Sequence, residues 1–404
     1  MAGTKFESTT MKNKQSGKKF VERLGNAITF GRLTIKTRKG GTFHFVGEED
    51  GPDAELILKK PGFARKLFTG GDVGFAEAYM EGICDTPDLT ALIQLGALNE
   101  DVAWANFLKG IPFFRWFARF GHALRANSRS GAKRNIKSHY DLGNEFYASW
   151  LDPSMTYSSA AFPECNASLE KAQEYKYHLL LSKLNVDASH HILEIGCGWG
   201  GFAIYAVKTK GCKVTALTIS PAQYDYAKKN VAKLGLEGQI SIKLCDYRDI
   251  NEKFDRIVSI EMLEAVGEAY WASYFQKFYS LLRSGGRAAI QAITIDQAYW
   301  QSYRRNPDFI QQYIFPGGML PTIERLQKEV QAAQLNWENC SKFGADYAKT
   351  LRIWCETFDM KWAHIKSLGF DEHFRRMWRY YFCYCEAGFN IGRIDVVHAI
   401  LSRD

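Results

Sequence analysis

Along the C-terminal part of the chain, helical and strand-like apolar patterns alternate. A helical run over Leu169–Leu184 is followed by the short apolar strand His191-Ile192-Leu193-Glu194-Ile195. A helix over Phe202–Lys208, a strand over Lys213–Leu217 and a helix over Pro221–Leu234 come next, then strands at Ile240–Leu244, Phe254–Ile260 and Arg287–Thr294. This alternation predicts an α/β fold with a doubly wound, mostly parallel sheet. The upstream pattern differs. Strand-like pieces at Leu33–Thr37 and Thr42–Phe45 precede helical patches at Phe75–Met80 and Leu89–Leu95, which predicts a smaller N-terminal α+β domain. The expected division is a disordered start (1–18), the α+β domain (19–100), a linking segment (101–137) and the larger domain (138–404).

Composition narrows the class. The 404 residues are 46% hydrophobic and 24% charged, which excludes disorder, a collagen-like repeat or a disulfide scaffold as the main architecture. The nine cysteines include no Cys-x-x-Cys pair. They read as reduced thiols of a cytoplasmic protein, and no metal site is expected. No apolar run of about 18 residues is present to span a bilayer. The Lys-rich stretch Met1–Lys19 lacks the apolar core of a secretory signal.

Charge is the more telling property. Val102–Tyr140 holds Lys109, Arg115, Arg119, Arg125, Arg129, Lys133, Arg134 and Lys137 and no acid, so this segment carries the whole net charge of +8. Behind Pro112, the residues Phe113, Trp116, Phe117 and Phe120 recur at helical spacing. Large aromatics beside Arg and Lys fit a helix lying on an anionic membrane surface. The same spacing fits an amphipathic helix packed on its own domain and followed by a basic linker. A nucleic-acid partner is not expected, because the rest of the chain shows no recognisable binding motif.

The strand ending at Ile195 runs into Gly196-Cys197-Gly198-Trp199-Gly200-Gly201. Glycines after a strand let the backbone turn sharply and approach a ligand, although an ordinary strand-to-helix turn has the same composition. With Glu194 the run reads Glu-x-Gly-x-Gly-x-Gly, not the Gly-x-Gly-x-x-Gly of dinucleotide sites. It is similar to the first motif of class I (Rossmann-like) S-adenosylmethionine-dependent methyltransferases.

Further motifs sharpen the resemblance. They are Ser138–Tyr147, Met155-Thr156-Tyr157-Ser158-Ser159-Ala160, Leu217-Thr218-Ile219-Ser220, Cys245–Asp249, Ser259-Ile260-Glu261-Met262-Leu263-Glu264, Ile314–Pro321, Tyr347-Ala348-Lys349-Thr350-Leu351 and Phe389–Gly392. In this order they resemble the cyclopropane fatty acid synthases, mycolic acid cyclopropane synthases and fatty acid methyltransferases. Gly71–Met80 resembles the extra N-terminal domain of the longer bacterial synthases, so residues 19–100 are expected to be lipid-associated.

The resemblance implies attack of a cis alkene of a phospholipid acyl chain on the methyl of S-adenosylmethionine. It also implies a carbocation, and proton removal by a bound bicarbonate. Loss from the new methyl gives a cyclopropane; loss elsewhere, or later reduction, gives a methyl branch. The bicarbonate pocket maps onto Glu264, Tyr347, Ile293 and the backbone near Ser159, with Gln291 at the position of a family His. Glu264 would accept the bicarbonate hydrogen and Tyr347 would donate; capping of a helix by Glu264 and a core role for Tyr347 are the plain alternatives. Ser159 stands for the family Cys, and Ala265 follows Glu264 where a His is often found. Cofactor contacts carry over to Tyr157, Ser158, Glu194, Gly196, Gly198, Gly200, Thr218, Gln223, Asp246, Tyr247 and Arg248. Trp199 either lines the adenosine or packs. Aromatics at Trp378–Phe382 and Phe389 line an acyl channel or form core.

The implied partners are an unsaturated phospholipid and an anionic membrane surface, with peripheral association at the cytoplasmic face and homo-oligomerisation left open. Two other readings remain, an amine N-methyltransferase and a catalytically silent relative.

Overall fold

The structure, a computed structural model, describes residues 19–100 and 142–404. The basic segment with Arg115, Arg119 and Arg125 lies outside the described residues, as do the start over 1–18 and the beginning of the Ser138–Tyr147 motif. The described residues form two units, one of 19–100 with Asp371–Ile391, the other of 142–370 with Gly392–Asp404.

In the first unit, β1 (Phe30–Thr37), β2 (Thr42–Val46), β3 (Glu49–Leu58) and β4 (Cys84–Asp85) form a sheet in the order β2-β1-β3-β4. Leu33 and Ile35 alternate along β1 and are buried on one face. Strand β3 was not predicted, because its first half, Glu49-Asp50-Gly51-Pro52, is acidic and holds a proline. Its continuous register with β1 runs from Arg32↔Asp53 to Thr37↔Leu58. Asn99 ties the start of β1 to the helix Leu89–Leu98. Its Oδ1 accepts from the N–H of Thr29 (2.6 Å) and Phe30 (2.9 Å), and its Nδ2 donates to the carbonyls of Phe30 (3.1 Å) and Leu95 (2.8 Å). The helix Phe63–Met80 begins well before the expected Phe75 and breaks at Gly71, whose φ of 56° and ψ of −131° interrupt it.

The helix Glu372–Asn390 belongs to this first unit, not to the C-terminal one in which the sequence reading placed it. Tyr380 packs against Phe75 and Tyr79, each at 6.0 Å between ring centroids. The Glu386 carboxylate accepts from Thr90 at 2.9 Å.

In the second unit, β5 (His191–Ile195), β6 (Lys213–Thr218), β7 (Ile240–Leu244), β8 (Phe254–Ile260), β9 (Leu282–Ile295), β10 (Asn336–Lys342) and β11 (Ile394–Ser402) form a sheet in the order β10-β11-β9-β8-β5-β6-β7. Strands β5 to β9 pair in parallel, and β11 and β10 add antiparallel at one edge. Strand β5 is buried on both faces, as a parallel strand between helical layers must be. Leu193 and Ile195 join a cluster with Ile257, Trp271, Phe275 and Leu326 on one side, and Ile192 joins Leu180, Phe202, Val214 and Val258 on the other. The crossover helices start where polar caps place them. Ser168 accepts from Lys171 N, and Ser220 accepts from Gln223 N ahead of Pro221 at the first helical turn.

Candidate active site

Strand order reverses between β5 and β8, since the chain runs outward from β5 through β6 and β7 and then returns to β8 and β9. In open α/β sheets the carboxyl ends of the strands at such a point form the ligand crevice. The glycine turn leaves β5 here. Gly196 and Gly198 have φ of 81° and 51°, which favours glycine. A Cβ on Gly196 would lie 2.2 Å from the Met262 side chain, and one on Gly198 would meet nothing within 4 Å.

Glu194 is buried beside the turn, and its Oε2 has no protein hydrogen-bond partner. Burial pushes its carboxyl up to about 8, against the pull of Lys176. An orphaned acceptor beside an open glycine backbone fits a ligand that carries an ammonium group, as S-adenosylmethionine does.

The remaining expected cofactor positions follow the ends of the neighbouring strands. Past β6, Thr218 donates to Gln223 Oε1 at 2.8 Å, and both are buried. Past β7, Asp246 accepts from Arg248 Nε (2.8 Å) and Nη2 (2.6 Å), and the guanidinium lies 5.6 Å from the Tyr247 ring centre. Ser158 Oγ accepts from the buried Lys176 Nζ at 2.7 Å, and burial brings that lysine down to about 7. Tyr157 lies about equally far from Tyr147 (5.4 Å), Trp150 (5.5 Å) and Trp354 (5.5 Å). Trp199 is buried, donates to Asn144 Oδ1 at 2.8 Å and packs on Tyr147 at 5.0 Å.

Two acids follow β8. Glu264 does not cap a helix; its Oε1 accepts from the backbone N–H of Ile293 on β9 at 2.5 Å, while its Oε2 is buried without a protein partner. Burial, and then the neighbouring Glu261, push its carboxyl up to about 8. Glu261, which is not among the expected site residues, is contacted by three of them. Its Oε1 accepts from Ser159 N (2.8 Å) and Gln291 Nε2 (2.8 Å), and its Oε2 accepts from Tyr347 Oη (2.7 Å). Burial raises its carboxyl, and the Tyr347 hydrogen bond opposes this most strongly. Its backbone sits at φ 50°, a left-handed conformation that costs a side-chain-bearing residue about 1–2 kcal/mol. An acid held there at such a cost is a site signal, and it is invisible in the sequence.

The structure gives these residues partners within the chain. Tyr347 and Gln291 donate to a carboxylate of the chain itself. Ser159 also contributes through its N–H, since its hydroxyl turns to Ala160 O at 2.9 Å. Gln291 is fixed in orientation. Its Nε2 faces two acceptors, Glu261 Oε1 and Ser159 O, so its Oε1 faces His398 Nε2 at 2.8 Å and that nitrogen must donate. His398 is the cross-strand neighbour of Gln291, and burial holds its imidazole well below the usual range, neutral.

The family model for mycolic acid cyclopropane synthetase matches residues 127–399. This chain belongs to that family. The tuberculostearic acid methyltransferase UfaA1 of Mycobacterium tuberculosis is 38% identical over 372 residues, covering 89% of this chain and 86% of the relative. The cyclopropane-fatty-acyl-phospholipid synthase of Escherichia coli is 33% identical over 359 residues, 87% of this chain and 88% of the relative. A crystal structure of the mycolic acid cyclopropane synthase CmaA1 complexed with SAH and CTAB superposes with a TM-score of 0.63 at 29% identity, covering 67% of this chain and 98% of that one. As a member of the mycolic acid cyclopropane synthetase family, the chain is an S-adenosylmethionine-dependent methyltransferase with the class I fold.

Proposed function

We propose that the enzyme methylates the cis double bond of an unsaturated phospholipid acyl chain, working from the cytoplasmic face of an anionic membrane. When bound, S-adenosylmethionine supplies an electrophilic methyl group. Glu194 and the backbone of Gly196 and Gly198 would hold its amino-acid end, with Thr218, Gln223 and Asp246–Arg248 along the same row of strand ends. An alkene is a weak nucleophile, so alignment and exclusion of water matter more than for an amine. Tyr157 and Trp354 (5.5 Å), and Trp354 and Tyr347 (6.1 Å), form a run of aromatic rings suited to a cationic lipid intermediate. Loss of a proton from the new methyl closes a cyclopropane; loss from the chain leaves a methylated olefin, whose reduction to a saturated branch is a separate reaction.

The observation that carries this reading is the convergence of Ser159, Gln291 and Tyr347 on an acid beside Glu264, at the strand end next to the glycine turn. It supplies a proton acceptor where a carbocation reaction needs one. The relatives named for tuberculostearic acid methylation and cyclopropane-fatty-acyl-phospholipid synthesis support a lipid acyl substrate. The bicarbonate implied by resemblance does not fit the residues present. Its three donors already serve Glu261, so no step is routed through it. Membrane association rests on the basic aromatic segment; neutralising Arg115, Arg119 and Arg125 together should weaken vesicle binding at low salt, and unchanged binding would refute it.

The test is mass and fragmentation analysis of acyl chains after incubation with S-adenosylmethionine and vesicles of mono-unsaturated phospholipid. A gain of one CH₂ supports the reading, with the alkene consumed for a ring and retained for a methylated olefin. No gain, with cofactor bound, refutes it.

A further inference from the structure

We propose that the Glu261 side chain is the built-in base of this enzyme and replaces the bound anion on which its relatives' pattern depends. The proposal deepens the lipid-methylation reading above and rests on it for the identity of the proton donor.

The argument begins with the donors. Ser159 N, Gln291 Nε2 and Tyr347 Oη reach the Glu261 carboxylate at 2.8, 2.8 and 2.7 Å. A carboxylate and a bicarbonate present the same planar pair of oxygens, so one set of donors can serve either but not both. The Glu261 oxygens offer about four acceptor positions, of which three are filled, and the remaining position on Oε2 can take a proton.

The supporting shell fits this role. Gln291 is oriented by His398, so its donor faces Glu261. Glu264 takes the Ile293 N–H on Oε1, and its Oε2 is buried without a protein partner. The left-handed backbone at Glu261 shows the fold bearing strain to seat an acid where glycine would sit more easily. The sequence changes at Ser159 and Gln291 then follow from one cause. A protein-borne carboxylate needs a backbone N–H and a neutral amide donor, and it does not need an ionisable imidazole.

In the step assigned to Glu261, a C–H bond of the carbocation breaks and an O–H bond forms on Oε2. The C–H electron pair closes the ring bond, or forms a new C=C, and cancels the positive charge. The carboxylic acid so formed returns its proton to solvent before the next turnover. No oxidant or reductant is involved.

The experiment measures bicarbonate binding and turnover separately. Binding of ¹³C-bicarbonate, followed by NMR in the absence of lipid, is expected to be undetectable for the wild type. It should be saturable for Glu261→Gly, in which the freed donors form an anion site and glycine suits the backbone. Wild-type turnover in CO₂-depleted buffer should be unchanged on adding bicarbonate. Glu261→Gln should lose about 100-fold or more in turnover with cofactor affinity and unfolding midpoint retained. Glu261→Gly should regain turnover with bicarbonate or formate. Bicarbonate binding to the wild type, slowed wild-type turnover on CO₂ removal, or an active Glu261→Gln would each overturn the proposal. If the wild type methylates no lipid, the substrate reading fails, and the binding arm still decides whether Glu261 occupies the anion site.

Discussion

Tyr347→Phe tests the electrostatics of the base directly. The substitution removes one hydroxyl and leaves the ring in place against Trp354. That hydroxyl donates to Glu261 Oε2 at 2.7 Å. A hydrogen bond to an ionised group contributes about 1.5–3 kcal/mol, and since about 1.4 kcal/mol corresponds to one pKa unit, its loss should raise the Glu261 carboxyl by about 1–2 units. Burial already holds this group above the ordinary carboxylate range, and after Tyr347 the main groups opposing burial are the Lys176 charge, Ser159 N and Gln291. Glu264 is the neighbouring acid. Glu261 must be ionised to accept a proton, so turnover rises with pH through its pKa. In Tyr347→Phe that rising limb should move about 1–2 units to higher pH, and turnover should return towards wild type above it. The assay is the pH profile of turnover at saturating cofactor. A uniform fall at every pH, with the limb unmoved, would refute the reasoning. Recovery by added bicarbonate, and not by higher pH, would also refute it.

Three further outcomes are expected. Lys176 ionises at about 7 in the fold against an ordinary 10.5, so the unfolded chain binds more protons between those values and this group favours the fold increasingly as pH rises. The stability difference between wild type and Lys176→Met should change by about 1.4 kcal/mol per pH unit in that window; a constant difference in urea unfolding would show that the lysine stays charged. His398→Phe leaves Gln291 Oε1 buried without its donor and should cost about 1–3 kcal/mol in urea unfolding. Arg376 donates to the carbonyls of Tyr79 (2.5 Å) and Cys84 (2.9 Å) and lies 4.0 Å from the Tyr79 ring centre. Its replacement by Lys loses the planar fork, so thermal unfolding should show destabilisation; an unchanged midpoint would refute that role.

The parallel sheet was legible because each buried strand is a short apolar run bounded by turns, and the glycine turn because its spacing is local. The base was not. Glu261 stands 102 residues from Ser159, 30 from Gln291 and 86 from Tyr347, and nothing local distinguishes it from an acid that faces solvent. Gln291 was placed only by its match to a family His, because Glu261, the acceptor it reaches, is not local to it. The aromatics at Trp378–Phe382 and Phe389 read equally as channel or core, because periodicity does not identify the surface a helix covers, and the partners of the helix Glu372–Asn390 precede it by almost 300 residues.

That last separation bears on how the protein is made. Arg376 meets Tyr79 across 297 positions, and Glu386 meets Thr90 across 296. At synthesis rates of about 5–20 residues per second, the first sheet and its two helices must wait on the order of 15–60 seconds for the third helix to be translated. Meanwhile the apolar faces around Phe75 and Tyr79 lack the cover that Tyr380 later provides. The N-terminal unit is thus begun first and completed nearly last. Chaperone capture of ribosome-bound chains should peak at intermediate lengths and fall once residue 390 has emerged, and an isolated N-terminal fragment should depend on a helix supplied in trans.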